Sequence, residues 1–193
     1  MDTTTAVSTA RPASRRSAGP AILAQRWPTV AALAFALIGT PAEASVEILT
    51  EMMMLLPFLY LVTAVLDRPR AVWVVFPASY TAWFVVRALD VVVPSTVLIG
   101  AAAAVVVVVG AVRGRLRDRR FLVQAAGMIA FGALGLVALA VDPDVARYIV
   151  AAGWFLHGVW DLVHHRLRVT VDRSFAEFCA VLDIAVAVAL VLV

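Results

Sequence analysis

The run WFLHGVWDLVHH, Trp154 to His165, holds all three histidines of the chain together with Asp161, and Cys179 and Asp183 follow four residues apart in SFAEFCAVLDIAV. On a helix turning about 100° per residue, Asp161 lies about 40° to one side of His157. His164 lies about 20° to the other side and His165 about 80° away, so the four share roughly one third of the circumference. Imidazole and carboxylate presented at i, i+4 and i+7 suit ligation of Zn²⁺ or Fe²⁺, with His157 and Asp161 joined by His164 or Asp183. The same groups without a metal would make a proton relay. They would equally make a buried polar network that fixes helix register. His157, Asp161, His164, Asp183 and Cys179 are therefore the candidate catalytic groups; with no recognisable nucleophile, oxyanion donor or substrate pocket, the sequence leans to a non-enzymatic packing or proton-relay network in a membrane complex or transporter, with the metal site as the alternative.

Several chemistries are disfavoured by composition. All sixteen basic residues are arginine, so no lysine exists to form a retinal Schiff base or act as a nucleophile. Histidines on one helix cannot ligate opposite faces of a haem iron, and three are too few for a histidine-rich di-iron lipid oxygenase. There is no nucleophile elbow, phosphate-cradling glycine loop or paired-cysteine motif, hence no cofactor-binding candidate. The single Cys179 allows no disulfide within the chain. Other polar groups have plainer readings. Ser174 and Glu177 have the spacing of a capping box, Glu47 and Glu51 face the level of Arg87 and Arg147 as ion-pair partners, and Met52, Met53 and Met54 point in different directions as packing.

The elements that must carry these residues are membrane helices. The chain is 63% hydrophobic and 15% charged, with a mean hydropathy of +0.96, against about 45–50% apolar residues in soluble domains. A span needs about 20 apolar residues to cross a hydrocarbon core of about 30 Å. Six segments meet that need, at about 46–66, 71–89, 91–112, 121–141, 146–165 and 175–193. The predicted fold is all-α: a polytopic transmembrane bundle with six strong spans and one short N-terminal apolar segment. Residues 1–26, rich in Ser, Thr, Ala and Arg, are expected to be a disordered basic tail, and 27–193 a single domain. The short segment TVAALAFALIGT precedes PAEAS. It reads either as a seventh helix over about 27–40 or as a signal peptide cleaved after Ala44; the uncleaved helix is the reading adopted.

The net charge of +3 would suit nucleic acid, but the arginines fall in short clusters between apolar runs, which is the pattern of membrane orientation. With alternating links, fourteen of the sixteen arginines share one side, leaving Arg87 and Arg147 on the other. The N-terminus is therefore predicted cytoplasmic and the C-terminus external, in a plasma membrane. The partners implied are the lipid bilayer, with a membrane-protein partner or a second copy of the chain, and no nucleic acid. Counted at about 1.5 Å per residue from the link between the last two helices, His157 and Asp183 both lie roughly 12–14 Å deep. Asp161 and Cys179 lie roughly 6–8 Å deep. A hydrogen bond between His157 and Asp183 is expected.

The runs HGVWDLVHHR and RSFAEFCAVLD resemble the C-terminal signature of a group of small bacterial membrane proteins of actinobacterial type. In those, an H-x-x-W-D-x-x-H-H helix precedes one carrying C-x-x-x-D. The resemblance covers residues 150 to 185 and implies a multi-pass membrane protein without implying an activity. Seven-helix metal-dependent hydrolases, such as ceramidases and progestin-receptor-like proteins, are similar in architecture. They use H-x-x-x-H on a late helix where this chain has His157 and Asp161, and an early histidine that this chain lacks. A metal-dependent intramembrane hydrolase acting on a lipid-like substrate is the enzyme reading that this analogy implies. The predicted topology has a direct test: a reporter fused after Arg117 should read cytoplasmic and one fused after Asp144 external, and the reverse pattern would overturn the orientation.

Overall fold

A computed structural model describes residues 26–39 and 45–192. The expected disordered tail and the cleavage site at Ala44 lie outside the described residues, save for Arg26. Among the described residues all regular structure is helical. We number the helices α1 (Trp27–Gly39), α2 (Val46–Leu66), α3 (Val72–Ala88), α4 (Ser95–Val112), α5 (Arg119–Ala140), α6 (Pro143–Leu167) and α7 (Arg173–Leu192). Short 3-10 turns at Pro69–Ala71 and Arg115–Arg117 precede α3 and α5.

The boundaries follow from local chemistry. Ser45 accepts a hydrogen bond from the Ile48 N–H at 3.3 Å to start α2, Asp118 accepts from Arg120 at 2.9 Å to start α5, and Asp142 accepts from Asp144 at 2.9 Å to start α6, with Pro143 in the first turn. Such caps satisfy amides that have no partner within the helix. Pro94 delays α4, predicted from residue 91, to Ser95; the residue before a proline is driven out of helical geometry, so Val91 to Val93 stay in the turn. The expected capping box at Ser174 and Glu177 does not form. Asp172 caps α7 instead, accepting from the Ser174 amide at 3.0 Å and its hydroxyl at 2.5 Å. Glu177 is thereby freed to accept from Thr29 of α1 at 2.7 Å and from Arg26 at 3.3 Å.

Five stretches are long and apolar enough to cross a membrane: Val46–Leu66, Pro69–Ala88, Ser95–Val112, Arg119–Ala140 and Arg173–Leu192. The sequence predicts a sixth strong span at 146–165. Its helix α6 has 25 residues but is not apolar enough to join the five, because Arg147, His157, Asp161, His164 and His165 are polar. At 13 residues, α1 is about 20 Å long, short of a full span.

Helix α2 is the hub. It packs against α3, α4, α5 and α6, while α7 lies along α6 and α1 along α7. One apolar cluster joins α1, α2, α6 and α7 through residues such as Ala32, Met53, Leu59, Trp154, Phe175 and Phe178. A second joins α2, α4 and α5 through Leu55, Leu61, Ile99, Phe121 and Met128. The periphery is also apolar: Val74, Phe84, Ile129 and Leu156 are all more than half exposed. A water-facing surface rarely offers apolar patches this extensive, whereas lipid requires them.

Gly110 lets α4 meet α5. A Cβ there would stand 2.5 Å from the ring of Phe121, which is fully buried. Gly110→Ala should therefore lower the thermal midpoint of the detergent-purified protein, with an overpacking cost of about 1–3 kcal/mol. Gly100→Ala, with nothing within 4 Å of its Cβ, should be neutral or mildly stabilising. Equal midpoints for the two variants would show that Phe121 yields.

Candidate functional site

The polar stripe of α6 points inward. His157 and Asp161 have no exposed surface, and His164 is 5% exposed. Phe155, Leu156, Leu162 and Val163 take the outward face of the same helix. This division is what an amphipathic helix in lipid requires, because an ionisable group facing hydrocarbon has neither partner nor water. The first turn of the link after α6 is closed by Arg168 in a left-handed conformation, whose N–H donates to the His164 carbonyl at 2.8 Å. The short link then returns the chain so that α7 runs antiparallel to α6.

That reversal brings Asp183 to His157, with Nδ1 2.9 Å from Asp183 Oδ2. The same nitrogen lies 3.5 Å from Asp161 Oδ2 one turn along. His157, Asp161 and Asp183 can each offer one ligand atom, all within 4.8 Å of one another, and all three residues are buried. Three of their atoms are buried without a hydrogen-bond partner: His157 Nε2, Asp161 Oδ2 and Asp183 Oδ1. Close approach depends on Gly158, where a Cβ would stand 3.0 Å from Ile184 Cγ1 and 3.3 Å from Asp183 Cβ.

The remaining partner comes from the hub. Tyr60 of α2, 1% exposed, donates its hydroxyl to Asp161 Oδ1 at 2.5 Å. Its ring meets those of His157 and His164 edge-on, at centroid distances of 5.7 and 4.9 Å. Phe131 of α5 closes over His157 at 5.1 Å. The sequence reading passed over Tyr60, although a signal existed. Tyr60 is six residues from the end of α2 and Asp161 six from the end of α6, so the depth count that paired His157 with Asp183 also matches these two.

His164 is engaged elsewhere. Its Nδ1 donates to the Trp160 carbonyl at 2.8 Å, which leaves Nε2 to accept from the Gln124 side-chain amide of α5 at 3.0 Å. Gln124 also donates to Thr170 at 3.4 Å. Cys179 is 1% exposed and sits within the apolar cluster of α1, α2, α6 and α7. His165 lies at the surface, where it accepts from Arg173 Nε at 3.0 Å. Glu47 and Glu51 both approach Arg87, at 3.6 and 2.9 Å, whereas Arg147 lies on the ring of Tyr148. Met53 and Met54 are core residues, 0% and 3% exposed.

Electrostatics limits the states of the central group. Two carboxylates and one imidazolium in an apolar interior leave one uncompensated negative charge, and such a charge costs several kcal/mol. The group reaches neutrality either with a further proton or with a divalent cation beside a neutral imidazole. The chain matches no family model, no curated protein and no solved structure. What the geometry defines is an all-helical bundle with several membrane-length apolar helices and a sealed His/Asp group at its centre.

The pairing of His157 with Asp183 generates a thermodynamic prediction. His157→Leu or Asp183→Leu alone should destabilise the detergent-purified protein by about 1–3 kcal/mol, since each strands a buried polar partner. The double variant should recover much of that loss. Additive losses in thermal unfolding would show that the two side chains are not coupled.

Proposed function

We propose that this is an integral membrane protein whose interior binds one divalent transition-metal ion, Zn²⁺ or Fe²⁺, on His157, Asp161 and Asp183. The observation that carries the reading is the buried three-residue group, drawn from two helices, with ligand atoms within 4.8 Å and three buried polar atoms lacking a hydrogen-bond partner. A network serving packing alone is stable when every member is satisfied, and this one is not. One dication, two carboxylates and a neutral imidazole sum to zero charge. The Tyr60 hydroxyl on the far oxygen of Asp161 is the kind of outer partner that fixes a ligating carboxylate. Three protein ligands leave a coordination position for water, whose ionisation such a metal promotes. Hydrolysis of a lipid-like substrate at that ion would need a path from the bilayer, since His157, Asp161 and Asp183 have no exposed surface.

The membrane reading extends to α6 and to orientation. Because the polar side chains of α6 face the interior and apolar ones face outward, its average composition understates its fitness to span, and we take it as the sixth crossing. The bundle then has its arginine-rich links on the cytoplasmic side. In support of this grouping, Arg115 pairs with Asp67 at 3.2 Å, Arg70 lies 3.9 Å from Asp172, and Arg26 pairs with Glu177 at 3.3 Å, all at one end. The resemblance of HGVWDLVHHR and RSFAEFCAVLD to small bacterial membrane proteins, read from the sequence alone, implies a plasma-membrane location.

Protein purified in detergent without chelators should carry close to one equivalent of Zn or Fe by elemental analysis. His157→Ala, Asp161→Ala and Asp183→Ala should each abolish it, and Tyr60→Phe should weaken binding about 10- to 100-fold. Wild-type protein that holds no metal, and takes none up on titration with Zn²⁺ or Fe²⁺, would overturn the metal reading. Proton flux in proteoliposomes, tested with Asp161→Asn and Asp183→Asn, would then separate a relay from a packing network.

A further inference from the structure

The outermost helix, α3, is weakly packed. Val72 is its only buried residue, and between it and α4 runs a cleft of about 350 Å³, within the range of about 300–1,000 Å³ typical of ligand sites. Leu55 and Phe58 of α2 form its floor, with Trp83 and Val86 of α3 on one wall and Ile99 and Ala102 of α4 on the other. Val86 and Ser95 also line a second, polar cavity of about 210 Å³, so the two adjoin. The polar part lies at the end of the bundle away from the arginine-rich links. Around it stand Glu47, Glu51 and Asp90 with a single arginine, Arg87.

The charges at this mouth select an occupant. Glu51, 4% exposed, accepts at its Oε2 from both Arg87 at 2.9 Å and the Trp83 indole N–H at 2.9 Å. Arg87 is thereby committed to Glu51, with Glu47 at 3.6 Å. Glu47 is 61% exposed at its side chain and Asp90 sits in the turn with φ 48°, and both residues line the mouth. Three acids against one arginine leave an excess of negative charge at the head of an apolar slot. A hydrocarbon chain satisfies the slot and a cationic head satisfies the mouth.

We propose that the cleft between α3 and α4 binds one amphiphile with a positively charged amine head group, its chain between Trp83 and Ala102 and its head at Glu47 and Asp90. The proposal rests on the chain residing in a membrane but not on the metal site. None of His157, Asp161 and Asp183 lines the cleft, so metal content and amphiphile binding fail independently.

Three probes with one hydrocarbon chain and different heads test it: oleylamine, oleyl alcohol and oleic acid, titrated into the detergent-purified full chain and counted by native mass spectrometry. Oleylamine should bind as one copy, about tenfold or more tighter than the alcohol, with the acid weakest. Glu47→Gln combined with Asp90→Asn should bring the amine to the affinity of the alcohol. Ala102→Trp should block all three, and Ala82→Trp, on the facing helix, serves if the first variant loses its wild-type thermal midpoint. Equal binding of the three probes, preference for the acid, or unchanged oleylamine binding in a folded tryptophan variant would overturn the proposal.

Discussion

An imidazole enclosed with two carboxylates in an apolar interior has to reach electrical neutrality, and the packing of three helices is arranged around that requirement. His157 reaches Asp183 only because α6 and α7 approach closely at Gly158. Asp161 is held only because α2 presents Tyr60 at the same depth. Each of these bonds sets a register: shifting α7 by one residue, a screw of about 1.5 Å and 100°, would carry Asp183 off its partner. Apolar contacts between leucines, valines and alanines tolerate such slips, since lipid chains are as apolar as the side chains they replace. The polar group is therefore where this bundle acquires a unique arrangement.

The periphery obeys the opposite logic. Around the central pair of polar contacts the helices are knitted by buried rings and by methionines fitted against glycines, as where Met53 and Met54 meet Gly153 and Gly135. Outside, α3 is fastened mainly by aromatic side chains: Phe76 meets the rings of Phe175 and Phe178, Trp73 donates to Ser174 at 3.2 Å, Tyr80 to the Met52 carbonyl at 3.3 Å and Trp83 to Glu51. Aromatic side chains with polar tips suit this position, because one end rests on apolar surface and the other finds an acceptor. A helix held by a few such anchors leaves space beside it, which a helix held by ridges and grooves would close.

How much of this could be read in the sequence depends on whether the deciding interaction was local. Helix positions were legible from apolar runs, and the His157–Asp183 pair followed from counting residues away from a short link. Tyr60 was not found, since a tyrosine in an apolar helix is ordinarily a packing residue and its partner lies 101 positions away. The same distance effect displaced Glu177. Its spacing from Ser174 fits a cap, yet Asp172 takes that role and Glu177 turns to Thr29, 148 positions away. His164 shared the helical face of His157 and Asp161, but Gln124 claims it. Periodicity reports which face a residue occupies, and only the assembled neighbours decide what meets it there.

Helix α1 lies against α7, with Phe35 packed edge-on to Phe178 at 6.1 Å and Ala32 fully buried. One helix, α7, thus supplies both the counter-group for His157 and the seat for α1. Any loosening of α7 would strand a buried imidazole and release α1 in the same movement.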